Sequence, residues 1–159
     1  MKKIKHSFPI AITFIWLGFV CAISFMEAPI KFMAPHLTLE VGVEVGRLVF
    51  KALNRVEVVL CLISIGFTFL NSFHRTTVIL LVVLSTIIGI QTFWLLPALH
   101  ERVQMIIQGQ IPPASHLHQV YILLDSLKVT GLILLGITQF GYFREKCLER
   151  FFIYKNPNE

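Results

Sequence analysis

The segment VYILLDSLKVTGLILLG, residues 120–136, is apolar enough for lipid yet holds Asp125 and Lys128. A charged side chain at the centre of a membrane helix costs ~2.5–3.5 kcal/mol, so such groups turn toward the protein and take partners. Their i, i+3 spacing puts both on one helical face, and His118 falls near the same stripe because seven residues make almost two turns. Counted from His118, Asp125 lies roughly 10 Å and Lys128 roughly 15 Å along the axis.

A matching stripe precedes it in the chain. Asn54, Glu57 and Cys61 recur at i, i+3 and i+7, whereas Arg55 lies on another face and continues the row of Arg47 and Lys51. If the two helices pack together, Glu57 and Asp125 share Lys128 as counter-ion, and Asn54 fills the remaining hydrogen bonds. Glu27 and Lys31 form an i, i+4 pair interrupted by Pro29, and Gln91 and Trp94 add polar atoms from a third apolar run. These polar residues gather in the outer half of the spans. The candidate site is therefore Asn54, Glu57, His118, Asp125 and Lys128, with Glu27 near its mouth. Such a cavity could carry a proton or bind a cation or small ligand. The competing reading is that the polar groups only pin helix packing.

Other chemistry has less behind it. His36, His100, His116 and His118 belong to the outer side and Glu101 adjoins His100, but no recognised ligand spacing links them. No metal and no cofactor is expected. Cys21, Cys61 and Cys147 lack a C-x-x-C spacing and read as small hydrophobes. Trp16, Trp94, Tyr121 and the Phe-rich tail read as packing and interface residues.

The elements that must position these groups follow from composition. The 159 residues are 55% hydrophobic and only 14% charged, with a mean hydropathy of +0.75, which places the chain among integral membrane proteins. Apolar runs cover 8–26, 56–70, 78–99 and 120–143. A spanning helix needs ~20 apolar residues, so the second run reaches that length only by taking Lys51, Asn54, Arg55 and Glu57 into its outer half. The runs are continuous rather than alternating, which excludes barrel strands. One domain over 1–159 is expected: an all-α, antiparallel four-helix bundle with helices at about 8–28, 47–71, 77–99 and 118–143.

Two segments leave alternatives. In LTLEVGVEVG, residues 37–46, apolar residues alternate as in a strand, but Glu40, Glu44, Arg47, Lys51 and Arg55 also follow one another at helical steps. The helical reading is preferred, with Thr38 as N-cap, and makes 38–47 a polar outer extension of the second helix. Gly42 and Gly46 would let another helix approach it. The N-terminus resembles a secretory signal in its basic start and apolar run, but the run is long and further spans follow, so retention as the first helix is expected. The turn at 71–77 and the longer connection at 100–118 join the helices, and 144–159 forms an inner interfacial tail.

Cations set the orientation. With the N-terminus inside, Lys2, Lys3, Lys5, Arg75, Arg144, Lys146, Arg150 and Lys155 are cytoplasmic, against Lys31, Arg47, Lys51, Arg55 and Arg102 outside. An N-in, C-in protein of a bacterial cytoplasmic (inner) membrane is expected. The net charge of +5 is then a topology signal, with no nucleic-acid partner. The lipid bilayer is the expected partner, and a second copy or a membrane partner protein remains open.

The order FIWLGFVCAISFMEAPIKFMAPHL, GRLVFKALNRVEVVL, FWLLPALHERV and SHLHQVYILLDSLKV resembles the transmembrane protein 205-like family of four-pass membrane proteins. The matching positions are Pro29 and Phe32, then Gly46, Phe50 and Leu53, then Trp94 and Pro97, then His118. The resemblance implies a four-helix membrane fold and no agreed activity. Where the family pattern has a small polar residue after the fourth-helix His, this chain carries Asp125 and Lys128. The plan is also similar to membrane oxygenase-like and haem-pathway oxidase proteins, although no motif selects them. The leading functional reading is a non-enzymatic binding or transport-related membrane protein. The alternatives are a redox or oxygenase-type membrane enzyme with a metal or haem, and an accessory or assembly subunit.

Overall fold

The computed structural model describes residues 4–70 and 75–155, which form four helices joined by short irregular segments. Helix α1 covers 4–31, α2 is Leu39–Leu70, α3 covers 75–107 and α4 is Leu117–Lys155. Among the described residues there is no strand, so 37–46 resolves to helix from Leu39 onward. Thr38 caps it as expected: its carbonyl accepts from Gly42 N–H at 2.9 Å and its hydroxyl from Val41 N–H at 3.4 Å. Three of the four helices, over Ser7–Lys31, Arg75–Ile107 and Leu117–Glu145, are long and apolar enough to cross a membrane. Helix α2 has the length but carries Lys51, Arg55 and Glu57 in its middle.

The ends differ from the sequence expectation. Helix α3 continues past position 99 to Ile107, and α4 continues through the expected tail to Lys155. Apolar runs mark only what lies in lipid, and a helix extending beyond it loses that signal. Lys2, Lys3 and the residues 71–74 of the expected inner turn lie outside the described residues.

Helices α1 and α4, α3 and α4, α1 and α2, and α2 and α3 pack against each other. The C-terminal ends of α1 and α3 meet the N-terminal ends of α2 and α4. There Lys31 lies against Gly46, Arg47 Nη1 donates to His100 Nδ1 at 3.1 Å, and Phe50 meets Tyr121 edge-on at 5.0 Å. The close neighbours of Gly42 and Gly46 come from the end of α1 and the turn after it: a Cβ at Gly46 would stand 2.7 Å from Lys31 Nζ, and one at Gly42 2.5 Å from the Phe32 ring. The reason is that α1 ends beside these glycines and turns over them.

Burial is inverted relative to a water-soluble domain. Phe14, Leu62, Phe93 and Ile137 are exposed on the perimeter, whereas Thr13, Glu57, Gln91, Asp125, Lys128 and Gln139 are buried. An apolar core of Trp16, Val20, Cys61, Leu81, Leu84, Ile88, Leu132 and Leu135 fills the centre. Helices α3 and α4 come close where Gly131 faces Leu84, leaving 3.1 Å for a Cβ.

Two helices widen within their spans. Cys21–Glu27 and Gln91–Leu95 are π-helical. Ala28 N–H reaches back five residues to Ile23 O, and Leu96 N–H five residues to Gln91 O. Each stretch is followed, after one intervening residue, by a proline, Pro29 or Pro97. Proline has no N–H to return to the preceding turn and its ring crowds that turn, so the helix gains room by widening.

Candidate functional site

Just above the apolar core, side chains from all four helices converge on a cluster built around the ammonium of Lys128. Its Nζ lies 2.7 Å from Glu57 Oε1 and 2.9 Å from Asp125 Oδ1, and donates to Gln91 Oε1 at 2.8 Å. Three N–H donors thus meet three acceptor groups, and the ammonium has no donor left over. Gln91 Nε2 donates to Asp125 Oδ1 at 2.8 Å, which fixes the amide, since a flipped amide would point its NH₂ at the ammonium. Trp16 Nε1 donates to Glu57 Oε1 at 3.1 Å, and the Ser24 hydroxyl pairs with Asp125 Oδ2. Glu57, Asp125 and Lys128 are each at most 1% exposed.

Local structure explains these positions. Asp125 and Lys128 share the inward face of α4 through their i, i+3 spacing, and Glu57 shares that of α2 with Asn54 and Cys61. Ser24 and Gln91 both sit in the π-helical stretches, which supply both uncharged partners of Asp125. Helical widening commonly marks functional positions. Next to Gln91, Thr92 pairs with Asn54: Asn54 Nδ2 donates to Thr92 Oγ1 at 3.0 Å.

Of the residues expected from sequence, the structure brings Glu57, Asp125 and Lys128 together. Asn54 is buried but belongs to the Thr92 pair, and Gln91 takes the role expected of it. Glu27 is part-exposed and meets Lys31 at 3.3 Å despite Pro29, because that proline occupies the first turn of the segment Ala28–Lys31, where its missing N–H is tolerated. His118 is exposed on the first turn of α4, two turns from Asp125. The polar groups do not all lie toward one end: Thr13 Oγ1 lies 2.9 Å from Gln139 Oε1 on the other side of the core. That pair is uncharged and so does not stand out in an apolar run.

Ser24, Trp16 and Thr92 were not legible as site residues. The available signal was Pro29 and Pro97, each five residues beyond Ser24 and Thr92, the spacing of a π-type hydrogen bond that proline cannot donate. Toward the α2 N-terminus, Arg47 Nη2 lies 3.8 Å from Glu44. Among the described residues its Nε is the buried side-chain polar atom without a partner. The histidines are spread out: His100 meets Arg47, His116 donates to Gln119 Oε1 at 2.7 Å, and His36 is exposed. Among the described residues no three His, Cys, Asp or Glu side chains converge in a way that could hold a metal ion.

With both carboxylates ionised, one ammonium faces two negative charges, and the buried cluster carries one negative charge in excess. No family model, curated protein or solved structure matches the chain.

Proposed function

We propose that the chain is a four-pass integral membrane protein, an antiparallel helix bundle with both termini in the cytoplasm of a bacterium, whose Glu57–Lys128–Asp125 cluster binds or moves a small ligand, cation or proton. Three apolar helices support membrane insertion, and α2, which packs on α1 and α3, crosses with them. Its charges Lys51 and Arg55 then reach the outer interface by extending their side chains along the helix. Membership of the transmembrane protein 205-like family is proposed on the four-helix plan and the matched positions alone.

The observation that carries the functional reading is the charge imbalance. Ion pairs that only hold helices together gain by being neutral, because an uncompensated buried charge is strongly unfavourable. A packing role has its own support in the complete hydrogen bonding of the cluster. The two readings separate in reconstituted vesicles under an imposed proton, sodium or potassium gradient, with lumenal pH and ion content recorded. Ion movement by the wild type, lost in Asp125→Asn with helix content and melting retained, is expected. A wild type that moves none of these ions, or an Asp125→Asn chain that does not fold, favours the packing role.

A further inference from the structure

We infer that the cluster binds a single proton at Asp125 Oδ2, with the Ser24 hydroxyl oxygen as its acceptor, so that the resting site is neutral. The inference deepens the ion-site reading above and rests on it for its role in exchange. It follows from which atoms can receive a hydrogen at all. Glu57 is surrounded by donors: both its oxygens face Lys128 Nζ, at 2.7 and 2.9 Å, and Oε1 also accepts from Trp16. A proton on Glu57 would point at another donor. Asp125 Oδ1 is likewise occupied, by Lys128 and Gln91. Asp125 Oδ2 meets only the Ser24 hydroxyl among the hydrogen bonds of the cluster, and a hydroxyl oxygen accepts as readily as it donates.

The alternative occupant, a metal cation, has no room of its own. The oxygens of Glu57, Asp125 and Gln91 already converge on one point, and the Lys128 ammonium fills it. Each donor of the Lys128 ammonium meets an acceptor. The charged or titratable groups around Asp125 are therefore Lys128 on its own helix, Glu57 from α2, Tyr121 one turn back, and Glu27 with Lys31 further along α1. Helix α3 offers only the neutral Gln91. Beyond Ser24 on α1, Glu27 has a side chain 28% exposed and pairs with Lys31 at the end of the helix.

The test is infrared spectroscopy of the full-length protein in lipid nanodiscs at neutral pH. A carboxylic-acid C=O stretch that moves in heavy water is expected in the wild type. It should disappear in Asp125→Asn and shift in Ser24→Ala, which removes the acceptor. Absence of the band from the wild type overturns the inference, as does a band that Ser24→Ala leaves in place. A band with the expected variant pattern but no response to bath pH upholds the bound proton, and it removes the ion-movement reading instead.

Discussion

Lys128 Nζ and Glu57 Oε1 stand 2.7 Å apart although 71 residues separate them, and neither side chain is more than 1% exposed. The pair joins α2 to α4. Lys128→Met keeps the length of the side chain but leaves Glu57 and Asp125 facing each other without their cation. Breaking one side of a buried pair is worth about 3–5 kcal/mol. That loss should appear in reversible denaturation of the purified protein in mixed micelles. A change below about 1 kcal/mol would mean that the pair is solvated in the membrane.

Gln91 does two jobs, accepting from Lys128 and donating to Asp125. Gln91→Leu leaves a buried donor and a buried acceptor unmatched, and each such group costs about 1–3 kcal/mol. Thr92→Val loses a neutral hydrogen bond to Asn54, a contact worth about 0.6 kcal/mol on average between membrane helices. The first variant should be clearly less stable than the second in the same denaturation series. Equal losses would place the charge network on a par with ordinary interhelical polar contacts.

How far the sequence carried depends on what each signal measures. Charges inside apolar runs singled out Glu57, Asp125 and Lys128, because only a buried partner makes them tolerable. The exchange of Asn54 for Gln91 was beyond the sequence, since it depends on the relative depth of α2, α3 and α4. Depth is set by loop lengths, by helix ends that run past the apolar stretches, and by the π-helical turns at 21–27 and 91–95. Trp16 reads as one more aromatic in lipid until its N–H is seen to meet Glu57. The helical state of 37–46 was open because its alternation and its charge row satisfy both periods, and packing of Gly42 and Gly46 under Phe32 and Lys31 decided it.

Two glycines should respond with opposite signs to the same change. Alanine is a better helix former than glycine by about 1 kcal/mol. At Gly66 a Cβ meets nothing, so Gly66→Ala should stabilise. At Gly131 it would stand 3.1 Å from Cδ2 of Leu84, which is fully buried and cannot retreat. Overpacking of that kind costs about 1–3 kcal/mol, so Gly131→Ala should be neutral to destabilising. A stability gain for Gly131→Ala as large as that for Gly66→Ala would mean that α3 and α4 are further apart than described.

At the start of α2, Glu40 is held below the ordinary carboxylate range, first by a hydrogen bond from its own backbone N–H and then by Thr38. A carboxylate whose folded pKa is depressed contributes stability above its unfolded pKa and loses it as pH falls through the folded value. Acidification should therefore loosen the first turn of α2. Thr38→Ala should move the Glu40 midpoint upward in an NMR titration, but only part of the way, because the backbone bond is untouched. A midpoint unmoved by Thr38→Ala would leave the backbone bond as the whole cause, and would confine Thr38 to its hydroxyl contact with Val41 N–H.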